Sequence, residues 1–235
     1  LKSSILKFSI IIPTYNESHN LKELVKYLRQ SDIENFDCEI IVADANTSTE
    51  SHHELDSLFT YLPTNTCGRA KQMNAGAAKA QGDILIFLHA DVKPPLSFLN
   101  DIAKSIDQGY PFGFFAYHFH PTNWILGFNA WFTKYKSLFS GGGDQIHFFT
   151  KELFHQLDGY NEKFVIMEDF HMMSKIKKQQ IPYVIIQNQA LVSARKYAKN
   201  SWFKVNFANL VAFSLFLLNI DPLKIKATYE RLLRK

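Results

Sequence analysis

The stretch Phe8-Ser9-Ile10-Ile11-Ile12-Pro13-Thr14-Tyr15-Asn16-Glu17 decides the fold. Its first six residues are a short, β-branched, nearly continuous apolar run, the pattern of a strand buried on both faces in a parallel sheet. Polar residues follow at once. The same pattern recurs downstream: Cys38 to Ala43 is an apolar run ending on Asp44, and Ile84 to Leu88 is another ending on His89-Ala90-Asp91. Between them, Asn20 to Gln30 carries Leu21, Leu24, Val25 and Leu28 at helical spacing. Gly68 to Gln81 sets Ala70, Met73, Ala77 and Ala80 on one helical face. Leu58 to Leu62 adds a short strand. This alternation predicts an α/β fold, a doubly wound and mostly parallel central sheet flanked by helices. Ligands of such sheets bind at the carboxyl ends of the strands, where the polar clusters stand.

Beyond about position 110 the pattern changes. Phe114 to Phe119, Ile146 to Phe149 and Tyr183 to Ile186 read as strands. Lys151 to Leu157, Phe170 to Lys178, Ser201 to Asn219 and Pro222 to Leu233 read as helices, and Trp124 to Leu138 as an aromatic-rich helix or a long loop. No repeat or linker interrupts the chain. A single domain over 1–235 is expected in three parts: about 1–100, about 101–195, and a C-terminal helical extension over about 196–235.

Composition supports a large core and excludes a disordered chain: 46% of the 235 residues are hydrophobic and 20% charged. The halves differ. Only five of the 21 Phe precede position 100, and from Arg195 onward nine Lys/Arg face two Asp/Glu, against a net −3 elsewhere. The basic residues are confined to this tail and no recognition motif accompanies them, which speaks against nucleic acid. Two cysteines, Cys38 and Cys67, lack ligand spacing and point to a reducing compartment. With no long apolar run before Pro13, no signal peptide is read. The uncharged stretch Val205 to Ile220 is shorter than the ~20 residues of a membrane span. A cytoplasmic location is expected. Arg195, Lys196, Lys199 and Lys204 beside Trp202, Phe203, Phe207, Phe213 and Phe216 leave two alternatives open. One is peripheral contact at the inner membrane face. The other is packing of these helices on the sheet or on a second subunit, giving a homo-oligomer.

No Gly-x-Gly-x-x-Gly, Gly-x-x-x-x-Gly-Lys-Ser/Thr or Gly-x-Ser-x-Gly motif follows the strands, which disfavours dinucleotide, P-loop and hydrolase readings. Gly68-Arg69-Ala70-Lys71 opens a helix, where free N–H groups and two cations suit a diphosphate, or simply form a solvated basic pair. Asp44 is placed to accept hydrogen bonds from a nucleotide or to cap a turn. Asp91 can hold Mg²⁺ or Mn²⁺ bridging a diphosphate, or can start the turn before Pro94. Glu168-Asp169 precedes a helix; adjacent residues diverge by about 100°, so one should face the site as a general base while the other caps or pairs. Gly141-Gly142-Gly143-Asp144-Gln145 is read as a flexible loop touching an acceptor, or as a plain connection.

Taken in order, these motifs resemble one family. Ile11-Ile12-Pro13-Thr14-Tyr15-Asn16-Glu17 looks like the opening of inverting family-2 glycosyltransferases. Gly68-Arg69-Ala70-Lys71-Gln72-Met73-Asn74-Ala75-Gly76, Leu88-His89-Ala90-Asp91, Gly143-Asp144-Gln145 and Met167-Glu168-Asp169 are similar to a small soluble subgroup of it. The resemblance covers roughly positions 8 to 180. It implies a GT-A fold, a nucleotide-sugar donor, most often UDP-linked, and a hydroxyl acceptor that the sequence does not name. The resemblance makes the part over about 1–100 the nucleotide-sugar half and the part over about 101–195 the acceptor half. It further implies that Pro13, Tyr15, Glu17 and Asp44 line the nucleoside pocket and that Arg69 meets the pocket or the diphosphate. Asn74, Asp144, Gln145 and Glu168 join the substrate-binding set, Asp91 holds a divalent cation, Mg or Mn, and Asp169 is the catalytic base. Two departures stand out: Asp44-Ala45-Asn46-Thr47 replaces the common Asp-Asp-Gly-Ser, and His89 replaces the first Asp of Asp-x-Asp. The rival readings are a nucleotide-sugar binding protein without catalysis and a membrane-surface transferase acting on a lipid acceptor.

Overall fold

The computed structural model describes residues 6–45, 59–64, 66–121, 124–143, 145–195, 197 and 200–233. The apolar runs form neighbouring strands: β1 (Lys7–Thr14), β2 (Asp37–Asp44) and β4 (Ile84–Phe87). β1 pairs parallel with both β2 and β4, and β2 pairs parallel with β3 (Phe59–Pro63). The second half adds β6 (Phe112–His120), β7 (His147–Thr150) and β8 (Tyr183–Ser193). A two-residue strand, β5 (Val92–Lys93), closes the order β3-β2-β1-β4-β7-β6-β8-β5 in one eight-stranded sheet. β7 runs antiparallel to both neighbours, whereas β6 and β8 are parallel. This is the expected mixed α/β sheet with a largely parallel first half.

The strands alternate their side chains between two cores. Phe8, Ile10 and Ile12 of β1 join α1 (Ser18–Leu28) and α3 (Phe98–Asp107) on one face. Ile11 faces the other way, against Ala70 and Met73 of α2 (Arg69–Lys79). Gly76 makes that contact possible: a Cβ there would lie 2.4 Å from Ile11 Cγ2. The later phenylalanines fill the sheet centre, where Phe112, Phe114, Phe115, Phe148 and Phe149 are all fully buried. Burial of each such ring contributes about 1.5–3 kcal/mol.

The remaining helices are α4 (Trp124–Phe132), α5 (Lys151–Gln156), α6 (Glu168–Lys178), α7 (Trp202–Leu217) and α8 (Pro222–Leu233). The Trp124–Leu138 alternative therefore resolves into one short helix followed by a loop. Two elements were not expected from the sequence, α3 and β5, and β8 extends well past Ile186. β5 matters most for function. Val92 and Lys93 pair antiparallel with Val192 and Leu191, which draws the chain after β8 up to the strand ends that carry Glu17 and Asp91.

Candidate active site

The carboxyl ends of β1, β2 and β4 share one edge of the sheet, because these strands are parallel. At β2, Asp44 is buried; its carboxylate accepts from the Tyr61 hydroxyl at 3.4 Å, and its carbonyl accepts from Thr64 N at 2.7 Å. Gln72 of α2 ties the two strand ends together, donating from Nε2 to the carbonyls of Thr14 at 2.6 Å and Ala43 at 2.8 Å. Beside them the buried Thr14 hydroxyl has no partner among the described residues and is available to a ligand. Pro13 is half-buried and Tyr15 is exposed at this edge.

At β4, His89 is buried while Asp91 is partly open. Burial, then the Arg69 guanidinium, then His147 hold the His89 pKa well below the ordinary imidazole range, so the ring is neutral. Asp91 Oδ2 accepts from Arg195 Nη2 at 3.1 Å, and the same nitrogen donates to Glu17 Oε1 at 3.0 Å. One guanidinium thus joins residues from three separate parts of the chain. In the sequence Arg195 is only the first charge of the basic tail; no local pattern announces its partners, which are set by the β5–β8 pairing.

α6 begins at Glu168, with Met167 in the left-handed conformation (φ 66°) at its N-cap. Neither acidic residue is the cap. Both are buried within the first turn, where the unpaired N–H groups favour negative charge. Glu168 pairs with Arg69 at 3.3 Å. Asp169 lines a cavity of about 730 Å³ together with Arg69, Glu168, Gly142 and Gly143. The cavity runs from there toward Asn129 of α4 and toward Asn206, Phe213 and Tyr229 of α7 and α8, and Glu17, Asp44 and Asp91 lie outside its lining.

The glycine run is packed closely on α6. A Cβ on Gly141 would lie 2.4 Å from Met173 Sδ, and one on Gly142 would lie 2.2 Å from Phe170 Cζ. A chain of hydrogen bonds braces it. Tyr160 OH lies 3.1 Å from His147 Nδ1, and His147 Nε2 lies 3.0 Å from the Gly141 carbonyl. A carbonyl only accepts, so Nε2 carries the proton and Nδ1 accepts from the tyrosine. Gly141 N donates to Gln145 Oε1 at 2.7 Å, and Gln145 Nε2 donates to the Phe115 carbonyl at 2.9 Å. Gln145, expected to bind substrate, is instead buried as a brace for this loop. Asn74 is placed likewise: it donates to the Tyr160 carbonyl at 2.8 Å and accepts from Tyr160 N at 2.9 Å, fixing the turn before α6. Neither lines the cavity. Asp144 lies outside the described residues.

His147 gives this brace a pH dependence. Burial depresses its pKa to about 4, below the ~6.5 of an unfolded histidine. The unfolded chain therefore takes up the proton first. The stability contributed by neutral His147 is complete above about pH 6.5 and is lost as the pH falls toward 4, a change on the order of 3 kcal/mol. Urea midpoints should drop across this window. An NMR titration in which His147 protonates near pH 6.5 in the native protein would contradict the assignment.

The chain matches the family described as "Glycosyl transferase family 2" over residues 9–166, more than half its length. It is 28% identical over 111 residues to poly(ribitol-phosphate) beta-N-acetylglucosaminyltransferase TarS of Staphylococcus aureus, a match covering 44% of this chain and 19% of that protein. It is 27% identical over 110 residues to dolichol-phosphate mannosyltransferase of Pyrococcus furiosus, covering 44% of this chain and 31% of that one. The chain thus spans about a fifth to a third of the length of these relatives. Among solved structures, its fold is similar to S. aureus TarS 1-349 in complex with UDP, with a TM-score of 0.64 at 15% identity, covering 97% of this chain and 71% of that one. It is also similar to the mannosyltransferase PcManGT from Pyrobaculum calidifontis in complex with GDP-Man and Mn²⁺, with a TM-score of 0.64 at 18% identity, covering 89% and 63%. Sequence match and shared GT-A architecture agree, and the chain belongs to glycosyl transferase family 2.

Proposed function

We propose that this chain transfers a sugar from a nucleoside diphosphate donor, UDP-linked, to a hydroxyl acceptor with inversion. The observation that carries this reading is the placement of Asp169. It stands on the first turn of α6 and lines the cavity together with Glu168 and Arg69. In the proposed reaction the Asp169 carboxylate takes the proton from the acceptor hydroxyl. The acceptor oxygen bonds to the anomeric carbon as the bond from that carbon to the diphosphate oxygen breaks in line, its electron pair leaving with the diphosphate. Pro13, Tyr15, Thr14 and Asp44 receive the nucleoside at the ends of β1 and β2.

The residues present fit a divalent cation that arrives with the donor. Glu17 and Asp91 point oxygens at one cationic nitrogen and remain partly exposed, with side-chain exposures of 29% and 25%. Mg²⁺ and its relatives are commonly held by one or two carboxylates plus substrate phosphates rather than by an all-protein cage. Among the described residues no group of three His, Cys, Asp or Glu forms such a cage. Asp91, with Glu17 beside it, would hold the ion, which would supply positive charge for the departing diphosphate. Arg69 and Lys226 are the protein's own cations in the cavity lining.

The test is a thermal-shift series with UDP, GDP and their sugar conjugates, with and without Mn²⁺. Ligands that bind only the folded state raise the melting temperature. The expected result is stabilisation by UDP compounds that increases with Mn²⁺. A flat response to every nucleotide would overturn the reading.

A further inference from the structure

Of the fourteen large hydrophobic side chains standing exposed among the described residues, twelve fall in two segments, 124–139 and 203–223. α7 shows how unusual this is. Phe203, Phe207, Leu210 and Leu217 recur at spacings of four, three and seven, so they share one face, and that face is 76%, 58%, 53% and 52% exposed. The buried face of the same helix carries Val205, Ala208, Ala212 and Phe213. A surface helix ordinarily has one apolar stripe; this one has two. α4 lies alongside, joined by a hydrogen bond of 3.0 Å from Asn129 to Asn206, and shows Trp124 and Trp131 to solvent. An exposed apolar surface of this kind marks an interaction site.

Charge selects the occupant. From Arg195 onward the chain carries nine basic residues and two acidic ones, and Lys224 and Arg231 stand exposed on α8, next to α7. Pairing two copies through this face would set the same basic tail against itself, because a two-fold contact joins like surfaces. An anionic bilayer accepts both the aromatic stripe and the basic flank. No helix among the described residues is long and apolar enough to cross a membrane, so contact would be with its surface. The cavity extends to the same segments: Phe139 and Leu210 belong both to its lining and to the exposed apolar set.

We propose that the face formed by α4 and α7 docks on an anionic lipid bilayer and that the sugar acceptor is an amphiphile whose hydroxyl-bearing head enters the cavity from that side. The docking stands on the surface alone; the acceptor class rests on the glycosyltransferase reading above. All three tryptophans, Trp124, Trp131 and Trp202, lie on or beside this face, so the protein carries its own probe.

The experiment is flotation with vesicles of phosphatidylcholine, with and without phosphatidylglycerol, at low and high salt. Tryptophan fluorescence is recorded in parallel with brominated acyl chains as quencher. Co-flotation with the anionic vesicles is expected, weakened by salt, with a blue shift and quenching of the tryptophans. The double variant Phe203→Ser/Phe207→Ser should bind such vesicles at least about tenfold more weakly while remaining folded with a near wild-type melting temperature, since both side chains are mostly exposed. No flotation with either vesicle overturns the docking, as does sedimentation of a dimer that this variant dissociates. UDP binding is measured on the same samples without vesicles. Its loss in the wild-type protein would remove the enzymatic reading and leave the docking standing, whereas its presence without flotation would do the reverse. Transfer that prefers water-soluble acceptors to lipid-anchored ones overturns the acceptor class.

Discussion

Asp169→Asn should reduce sugar transfer by about 10²- to 10⁴-fold, the usual contribution of a positioned general base, while the protein remains folded and binds UDP with little change. The substitution keeps the size of the side chain and its capacity to accept a hydrogen bond. It removes the ability to take a proton. Both acidic residues are buried on the first turn of α6 and line the cavity, and Glu168 is ion-paired with Arg69, so substituting each in turn tests which of them takes the proton. Glu168→Gln withdraws the charged partner of Arg69, a residue that lines the cavity. Its effect should fall on the KM for the donor more than on kcat, since it disturbs a cation placed for the substrate rather than the proton acceptor. Measured with one UDP-sugar and one acceptor, kcat and calorimetric UDP affinity distinguish the roles. Asp169→Asn turning over at the wild-type rate would remove the base assignment. If Glu168→Gln lost kcat instead, the roles would be exchanged.

Why some of this was readable and some not has a physical basis. β1, β2 and β4 are buried on both faces, so their sequences are continuous apolar runs that nothing else explains, and a parallel arrangement puts their polar ends together. Glu168 and Asp169 diverge by the geometry of one helical turn, which requires no knowledge of the fold. α3 is legible in principle, with Phe98, Leu99 and Ile102 at helical spacing just after the Pro94-Pro95 turn. β5 was not legible: two residues become a strand only because β8 lies alongside, and strand formation of that kind is tertiary. Arg195 follows from β5. In the sequence it is the first charge of a basic tail; in the fold it is the residue that joins Glu17 to Asp91. Asn74 and Gln145 run the other way. Each stands in a motif that points to a ligand, yet each carboxamide is turned onto backbone groups that position the turn before α6 and the glycine loop beneath it. His147 passed as one residue of a strand, because only the fold places Tyr160 and Gly141 at its two nitrogens.

Arg195→Gln should bind Mn²⁺ in the absence of nucleotide about tenfold more tightly than the wild-type protein does, and UDP in the absence of Mn²⁺ more weakly. One nitrogen of Arg195 contacts a carboxylate oxygen of Glu17 at 3.0 Å and one of Asp91 at 3.1 Å, so those two oxygens are no more than about 6 Å apart. Like charges at that distance repel by roughly 1–3 kcal/mol, depending on how far water screens them. The guanidinium relieves this repulsion in the ligand-free protein. A divalent ion would relieve it as well, and must displace or share with the arginine to do so. Glutamine removes the competitor and leaves the carboxylates, which raises affinity for the ion alone. The same change removes the guanidinium that stands between the two anions an incoming diphosphate faces, which lowers affinity for the nucleotide alone. When ion and nucleotide are both present, each supplies what the other lacks. The coupling between them should therefore be larger in the variant, and by linkage it must be the same whichever ligand is added first. Free Mn²⁺ measured by electron paramagnetic resonance, in titrations with and without UDP, reads both quantities without any assay of turnover. Equal Mn²⁺ affinity in the two proteins would mean that Arg195 does not compete for the site, and its contacts with Glu17 and Asp91 would then serve only to tie the end of β8 to the donor edge of the sheet.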